Sequence, residues 1–531
     1  MSSLPQIDFS PLSPVTAVLA MLGCQPDDDA WVLGQSGPAL TPAASAALTV
    51  WRLQQSLRQL LAVTPLWAAS LQSPIVTAEI LAAFAGHPWH AFLQQLWSRW
   101  RAAVLAEHER SNEEARAPSG QHTDADLPSL TTALRVWQRE HERCWQALSA
   151  NETAQLLIAA SWPGFDAMLR VNPSANPSIL SRASQQSLPA SWQQTLQTMA
   201  QQAGRLSAQA IQQPASAEPG ERAVHWQQHG ARLIRYPAPA DATPILLVYA
   251  WINRPDVLDL SPQQSLIACL QAQGLAVWLL DWADSGAHGL TLDDYVEQLL
   301  QPALQEVCLA SQRSRVSVLG ICQGGTLALS LALKQTAKND STIASLSLAV
   351  TPIDFHSADD RLSAWSQTLP AASLATVQAH SPATLNLAFL NLKPYSLRTG
   401  KYLSLLTQPC SAAALANFLR LEHWLLSGPL LSGPALATYL ERYYQHNILC
   451  RNAQKGESQT MTLDAVQCPL QVLIADQDHI VPPAASLAVS VLMASPVQIE
   501  RLPAGHIGVL VGRQRERLAA QVAAFVRTVN R

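Results

Sequence analysis

The chain has 531 residues, too many for one ordinary domain, so two domains or one large domain with an extension are expected. Only 14% of its residues are charged while 48% are hydrophobic, enough for a large core with apolar surface left over. A net charge of -4 with no long basic run argues against nucleic acid as a partner, and no run of eighteen apolar residues exists to span a membrane.

The N-terminal stretch has a short apolar run ending in Leu22-Gly23-Cys24 but lacks the basic segment of an export signal and carries Asp8, so a cytoplasmic protein is expected. The eight cysteines are scattered, with no CxxC pair, which suggests neither a zinc site nor a redox pair and fits a reducing compartment. Apolar residues recur at three and four over Leu48–Leu61 and His90–Glu107, which predicts helices. Glu109–Asp126 is polar and reads as a solvated loop. Ten of the 16 tryptophans precede residue 215, among them Trp89, Trp97 and Trp100. They either fill a helical core or serve a contact surface.

The character changes near Gln212–Glu221. The expected division is a mostly α-helical domain over residues 1–219 and a catalytic domain over 220–531. Beyond the change, short β-branched runs alternate with helical patterns, the mark of a parallel sheet with crossover helices. Strands are expected at Pro244–Trp251, Ala276–Asp281, Arg315–Leu319, Ser345–Thr351 and Leu470–Ala475. Helices are expected at Ser265–Gln273, closed by Gly274, at Tyr295–Ala310 with Pro302 inside, and at Thr326–Lys334. Between Ser345–Thr351 and Leu470–Ala475 the alternation is broken by helix-rich sequence, about 352–459, which reads as a cap inserted into the sheet.

The strongest signal is strand, Gly320-Ile321-Cys322-Gln323-Gly324-Gly325, helix. A nucleophile on such a sharp turn needs flanking glycines, because side chains there would strike neighbouring backbone. Cys322 holds the nucleophile position, with the helix N-terminus aimed at sulfur in a way that favours the thiolate. The backbone N–H groups of Gln323 and of Asn253, in the loop after the first strand, are the candidate oxyanion donors. Cys269, Cys308 and Cys468 lack such a setting and read as core residues.

A nucleophilic cysteine needs a base, and the base an orienting acid. After Leu470–Ala475 come Asp476-Gln477-Asp478-His479-Ile480-Val481-Pro482. Asp478, just before the Ile-Val-Pro turn, is the favoured acid, with Asp476 as the alternative or a turn residue, and His479 structural. His506 sits in the loop Leu502-Pro503-Ala504-Gly505-His506-Ile507-Gly508. The order Cys322, Asp478, His506 is that of the α/β-hydrolase fold, so the fold class expected is α/β, of that type, with a helical cap. An acyl group on sulfur remains an activated thioester, suited to transfer onto an alcohol if water is kept out. The same triad with water as acceptor would make a hydrolase, and apolar surfaces without catalysis a scaffold.

INRPDVLDL, GICQGG, VTPIDF, ADQDHIVPP and GHIGVLVG, with LAFLNLKPYSLRTGKYLSLL in the cap, resemble the polyhydroxyalkanoate synthases, nearest to the class III catalytic subunit, over about residues 220–531. The resemblance implies that Cys322 carries the growing chain, His506 is general base and Asp478 its partner, on (R)-3-hydroxyacyl-CoA with release of CoA. It implies a polyester and its granule surface as partners and no metal or organic cofactor. A second copy of the chain or a helper subunit are the protein partners it allows. Residues 1–219 fall outside the resemblance, and a role in place of the helper subunit is one expectation for them.

Overall fold

The computed structural model describes residues 41–72, 78, 90–114, 127–148, 188–213, 215–357, 361–367, 369–393, 395–451, 463–493 and 495–529. They fall into two compact units. One holds the described residues of Thr41–Ala215 together with Lys393–Leu419, the other those of Ser216–Leu392 and Arg420–Arg531.

The first unit is helical: α1 (Pro42–Gln72), α2 (His90–Glu114), α3 (Leu130–Leu148) and α4 (Ala190–Gln212). Helix α2 runs on through Glu109–Glu114, the start of the stretch read as a loop, because no glycine or proline precedes Pro118 to stop it. Residues 115–126 lie outside the described residues. Trp67, Trp97, Trp100, Trp137, Trp145 and Trp192 are all buried. Ring centroids lie 4.9 Å apart for Trp67–Trp137, 5.1 Å for Trp67–Trp100 and 5.7 Å for Trp100–Trp137. Three indole N–H groups find acceptors: Ser70 Oγ for Trp97 at 2.8 Å, Ala133 O for Trp100 at 3.0 Å and Pro128 O for Trp192 at 2.8 Å. These tryptophans fill a core, while Trp89 lies outside the described residues.

Residues 393–419 sit inside the span that reads as a cap, yet they complete this helical core. Tyr395, Thr399, Tyr402, Leu403 and Leu406 recur at helical spacing and are all buried. Tyr395 packs on His141, centroids 5.2 Å apart. Gln138 Nε2 donates to Ser396 Oγ at 3.0 Å, Arg52 Nη1 to Tyr402 OH at 3.4 Å and Arg205 Nη2 to the Cys410 carbonyl at 3.2 Å.

The second unit is built on one sheet of eight strands: β1 (Ala223–Gln228), β2 (Ala231–Arg235), β3 (Thr243–Val248), β4 (Leu275–Asp281), β5 (Val316–Ile321), β6 (Ile343–Ala349), β7 (Leu470–Ala475) and β8 (Val497–Leu502). The order across the sheet is β1-β2-β4-β3-β5-β6-β7-β8, parallel from β4 to β8, with β2 antiparallel to both neighbours. The central strands are apolar runs because helices cover both faces. Strands β1 and β8 lie at the edges with mostly exposed side chains, so no apolar run marks them in the sequence.

The helices α5 (Leu266–Ala272), α6 (Gln301–Ser311) and α7 (Gln323–Ala337) follow the expected positions. Ser265 caps α5, accepting from Ala268 N at 2.9 Å, and Gly274 closes it at φ +80. Before α6 a π-helical turn, Tyr295–Leu300, precedes Pro302, which falls in the first turn of α6 where no N–H is needed. The part of the cap within this unit is tied down by Arg442, which donates to both carboxylate oxygens of Asp293 at 3.2 and 3.0 Å, while Lys334 of α7 reaches the same carboxylate at 3.0 Å. Among the described residues no helix is long and apolar enough to cross a membrane.

Candidate active site

The chain leaves β5 at Ile321 and enters α7 at Gln323, so Cys322 alone makes the turn. Its backbone is in a rare conformation for a residue with a side chain, φ 54 and ψ -128. Such strain costs roughly 1–3 kcal/mol and survives only where surroundings over-determine it. They do so here: Cys322 N–H donates to the Ala349 carbonyl and Gly325 N–H to the Cys322 carbonyl, both at 2.9 Å. A side chain on Gly324 would overlap the carbonyl oxygens of Val248 and Tyr249, and one on Gly325 would overlap the Thr351 hydroxyl. Glycine at both positions lets the helix start press against the ends of β3 and β6.

The sulfur is nearly enclosed, with Cys322 8% exposed. Two loops, after β7 and β8, leave the same end of the parallel strands and bring the other expected residues to it. Asp476 N–H donates to the Leu502 carbonyl at 2.9 Å and Gln477 N–H to the Ala504 carbonyl at 3.0 Å, which lock the loop after β7 to that after β8. Asp478 thereby faces His506: imidazole Nδ1 donates to carboxylate Oδ2 at 2.6 Å. The second oxygen, Oδ1, accepts from Ile480 N at 2.8 Å and Val481 N at 2.9 Å, so the Ile-Val-Pro turn orients the acid. The Cys322 side chain adjoins the same imidazole closely enough to act on its titration, so the three buried groups form one cluster. Burial pulls the His506 pKa down, but the Asp478 charge and the adjacent sulfur outweigh it and hold His506 well above an ordinary histidine.

Asp476 does not take part. It is exposed and accepts from Arg501 Nε at 2.7 Å. His479 lies beside the acid, half-buried. Gln323 opens α7, where the first N–H groups have no partner within the helix. Strand β3 stops at Val248, earlier than the apolar run suggests, because Tyr249–Asn253 must leave the sheet to pass the elbow at Gly324. Asn253 lies in that loop, half-buried.

A family model described as alpha/beta hydrolase fold matches residues 243–512. Poly(3-hydroxyalkanoate) polymerase subunit PhaC of Thiocystis violacea is 34% identical over 293 residues, 54% of this chain and 81% of its own. The protein of the same name from Allochromatium vinosum is 34% identical over 294 residues, 54% of this chain and 82% of its own. The chain belongs to the poly(3-hydroxyalkanoate) polymerase family. A third relative of that name, from Synechocystis sp., is 33% identical and covers 52% of this chain and 74% of its own.

In this polymerase two buried tyrosines lie within electrostatic reach of Cys322 that the residue pattern alone does not single out. Tyr249 and Tyr439 are buried, and that burial holds both phenols well above the ordinary tyrosine range, with a Cys322 charge pushing the same way. Tyr439 OH donates to Thr326 Oγ1 at 3.5 Å. Asn447 is a further support: its Oδ1 accepts from Phe355 N at 3.0 Å and its Nδ2 donates to Asp354 Oδ1 at 2.8 Å. The runs VTPIDF and YYQHNIL contain these residues, but neither spacing nor residue type marks them as partners across the fold.

Proposed function

We propose that this polymerase joins (R)-3-hydroxyacyl-CoA units through a covalent thioester on Cys322, with His506 as general base and acid and Asp478 as its orienting partner. The observation that carries the reading is the Asp478–His506 pair, at 2.6 Å, buried beside Cys322 at a strained strand-to-helix turn. In the first step Cys322 Sγ attacks the substrate's thioester carbon while its proton passes to His506. The oxyanion of the tetrahedral intermediate faces the backbone N–H groups of Gln323 and Asn253. The carbon–sulfur bond to CoA then breaks, and His506 returns the proton to the departing sulfur.

In the second step the 3-hydroxyl of another acyl group gives its proton to His506 and attacks the Cys322 thioester. An ester bond forms, the bond to Sγ breaks, and His506 reprotonates Cys322. The activation comes from the thioester itself, so side chains suffice and no cofactor beyond the CoA substrate is invoked. Burial of Cys322, His506 and Asp478, at 8%, 5% and 8% exposure, supports an alcohol acceptor over water. We read the protein as cytoplasmic and working at the surface of its polyester granule.

The test is incubation of the whole chain with (R)-3-hydroxybutyryl-CoA. CoA release with insoluble polyester is the expected result. Release with free hydroxy acid would make the protein a hydrolase, and no release would leave it a scaffold.

A further inference from the structure

The loop that carries Asn253 is held by an element the mechanism does not use. Helix Ala412–Leu426 ends beside it, and a helix end leaves carbonyl groups without partners. Arg254 Nε donates to the Ser427 carbonyl at 2.7 Å, just beyond that end, where the partial negative charge favours a cation. In return Trp424 Nε1 donates to the Arg254 carbonyl at 2.7 Å. The two bonds run in opposite directions between the same two segments. Trp424 is buried at 7% exposure and belongs to the core, so its indole is a fixed point. Another carbonyl of the same turn, Leu425 O, is taken by Asn386 Nδ2 at 2.7 Å, which fixes the turn independently.

Arg254 is also restricted by its neighbour. Proline at 255 biases it to an extended backbone, and it is found at φ -74 and ψ 139. With its carbonyl, its side chain and its backbone angles all fixed, Arg254 anchors the chain one residue after Asn253 and so limits the directions in which the Asn253 N–H can point.

We infer that Trp424 and Arg254 are positioning residues for the oxyanion donor at Asn253, a reciprocal clamp between the end of the helix Ala412–Leu426 and the loop after β3. The inference rests on the mechanism proposed above. Neither side chain needs to touch substrate.

The experiment uses the full chain carrying Trp424→Phe, which keeps the ring and removes the N–H, and separately Arg254→Gln. Two rates are read on each. One is the first-turnover release of CoA from (R)-3-hydroxybutyryl-CoA, which needs the oxyanion. The other is alkylation of Cys322 by iodoacetamide, followed by peptide mass spectrometry, which is a direct displacement and forms no oxyanion. The clamp predicts a fall of about 10- to 100-fold in maximal CoA release in both variants. The substrate concentration for half-maximal rate and the alkylation rate stay within about twofold of wild type, since a misplaced donor acts only on the transition state.

Unchanged CoA release overturns the proposal. So does an equal loss in both rates, which would mean general damage to the Cys322–His506 pair. A rise in the half-maximal concentration alone at Arg254→Gln also overturns it, since the arginine would then bind the substrate's phosphates. Failure of the underlying mechanism would look different: wild type would release no CoA, or Cys322→Ala would release it normally.

Discussion

In the helical unit, indole packs on indole, with Trp67, Trp97, Trp100 and Trp137 sharing faces and edges at 4.9 to 5.9 Å. In the sheet unit the packing around Cys322 is at glycine, where Gly324 meets the Val248 and Tyr249 carbonyls and Gly325 meets Thr351. The first arrangement tolerates any set of large side chains that fills the space. The second admits one residue type at each position, because it presents a reactive atom at a fixed angle. The difference teaches where to look for chemistry: strain and glycine mark the site, and bulk marks support.

The sharpest break between the two regions comes from Cys322→Ala. Release of CoA is expected to fall by ~10⁴-fold or more, because the covalent path is lost. Thermal unfolding, followed by circular dichroism, is expected to stay near wild type. A tryptophan in the other unit should do the reverse. Trp137→Ala is expected to destabilise the helical unit by about 3–5 kcal/mol in denaturant unfolding. The rate of Cys322 alkylation below the unfolding transition is expected to be unchanged.

Gly324→Ala tests the elbow from a third direction. The new methyl group strikes the Val248 and Tyr249 carbonyls, so about 1–3 kcal/mol of stability is expected to be lost. Displacement of the sulfur should add a loss of about 10²-fold in CoA release.

The regions were unequally legible. In the sheet unit, Gly320–Gly325 dictates a turn through steric exclusion, so both the fold and the place of Cys322 at that turn can be read from the residues. Asp478 and His506 follow because the loops after β7 and β8 need turn residues there, and the Asp478–His506 contact at 2.6 Å agrees with that reading. The edge strands β1 and β8 were not legible, since an exposed strand carries no apolar run. Nor was the division of residues 352–459. An apolar stripe at Tyr395, Tyr402 and Leu406 says that something covers it, and not whether the cover is a sheet or another helix. The tryptophan-rich segment likewise announces a core without its partners.

A smaller effect separates the units by pH. His141, wholly buried against Tyr395 and Phe92, is held neutral by burial, with its pKa lowered to about 3. The unfolded chain binds a proton near 6.5, so between those values acid favours unfolding. The helical unit is expected to lose stability as pH falls below about 6.5, by about 2 kcal/mol at pH 5. In His141→Phe the contribution of this residue to that slope should vanish. A slope unchanged by the substitution would mean that another group controls it.

The most direct measurement is mass spectrometry of the Cys322 peptide after brief exposure of the whole chain to (R)-3-hydroxybutyryl-CoA and acid quench. A hydroxyacyl adduct on Cys322 that hydroxylamine removes, and that is absent in His506→Gln over the same interval, is the predicted result. Polymer formed without any acyl group ever on Cys322, or an adduct carried on a different cysteine, would contradict it.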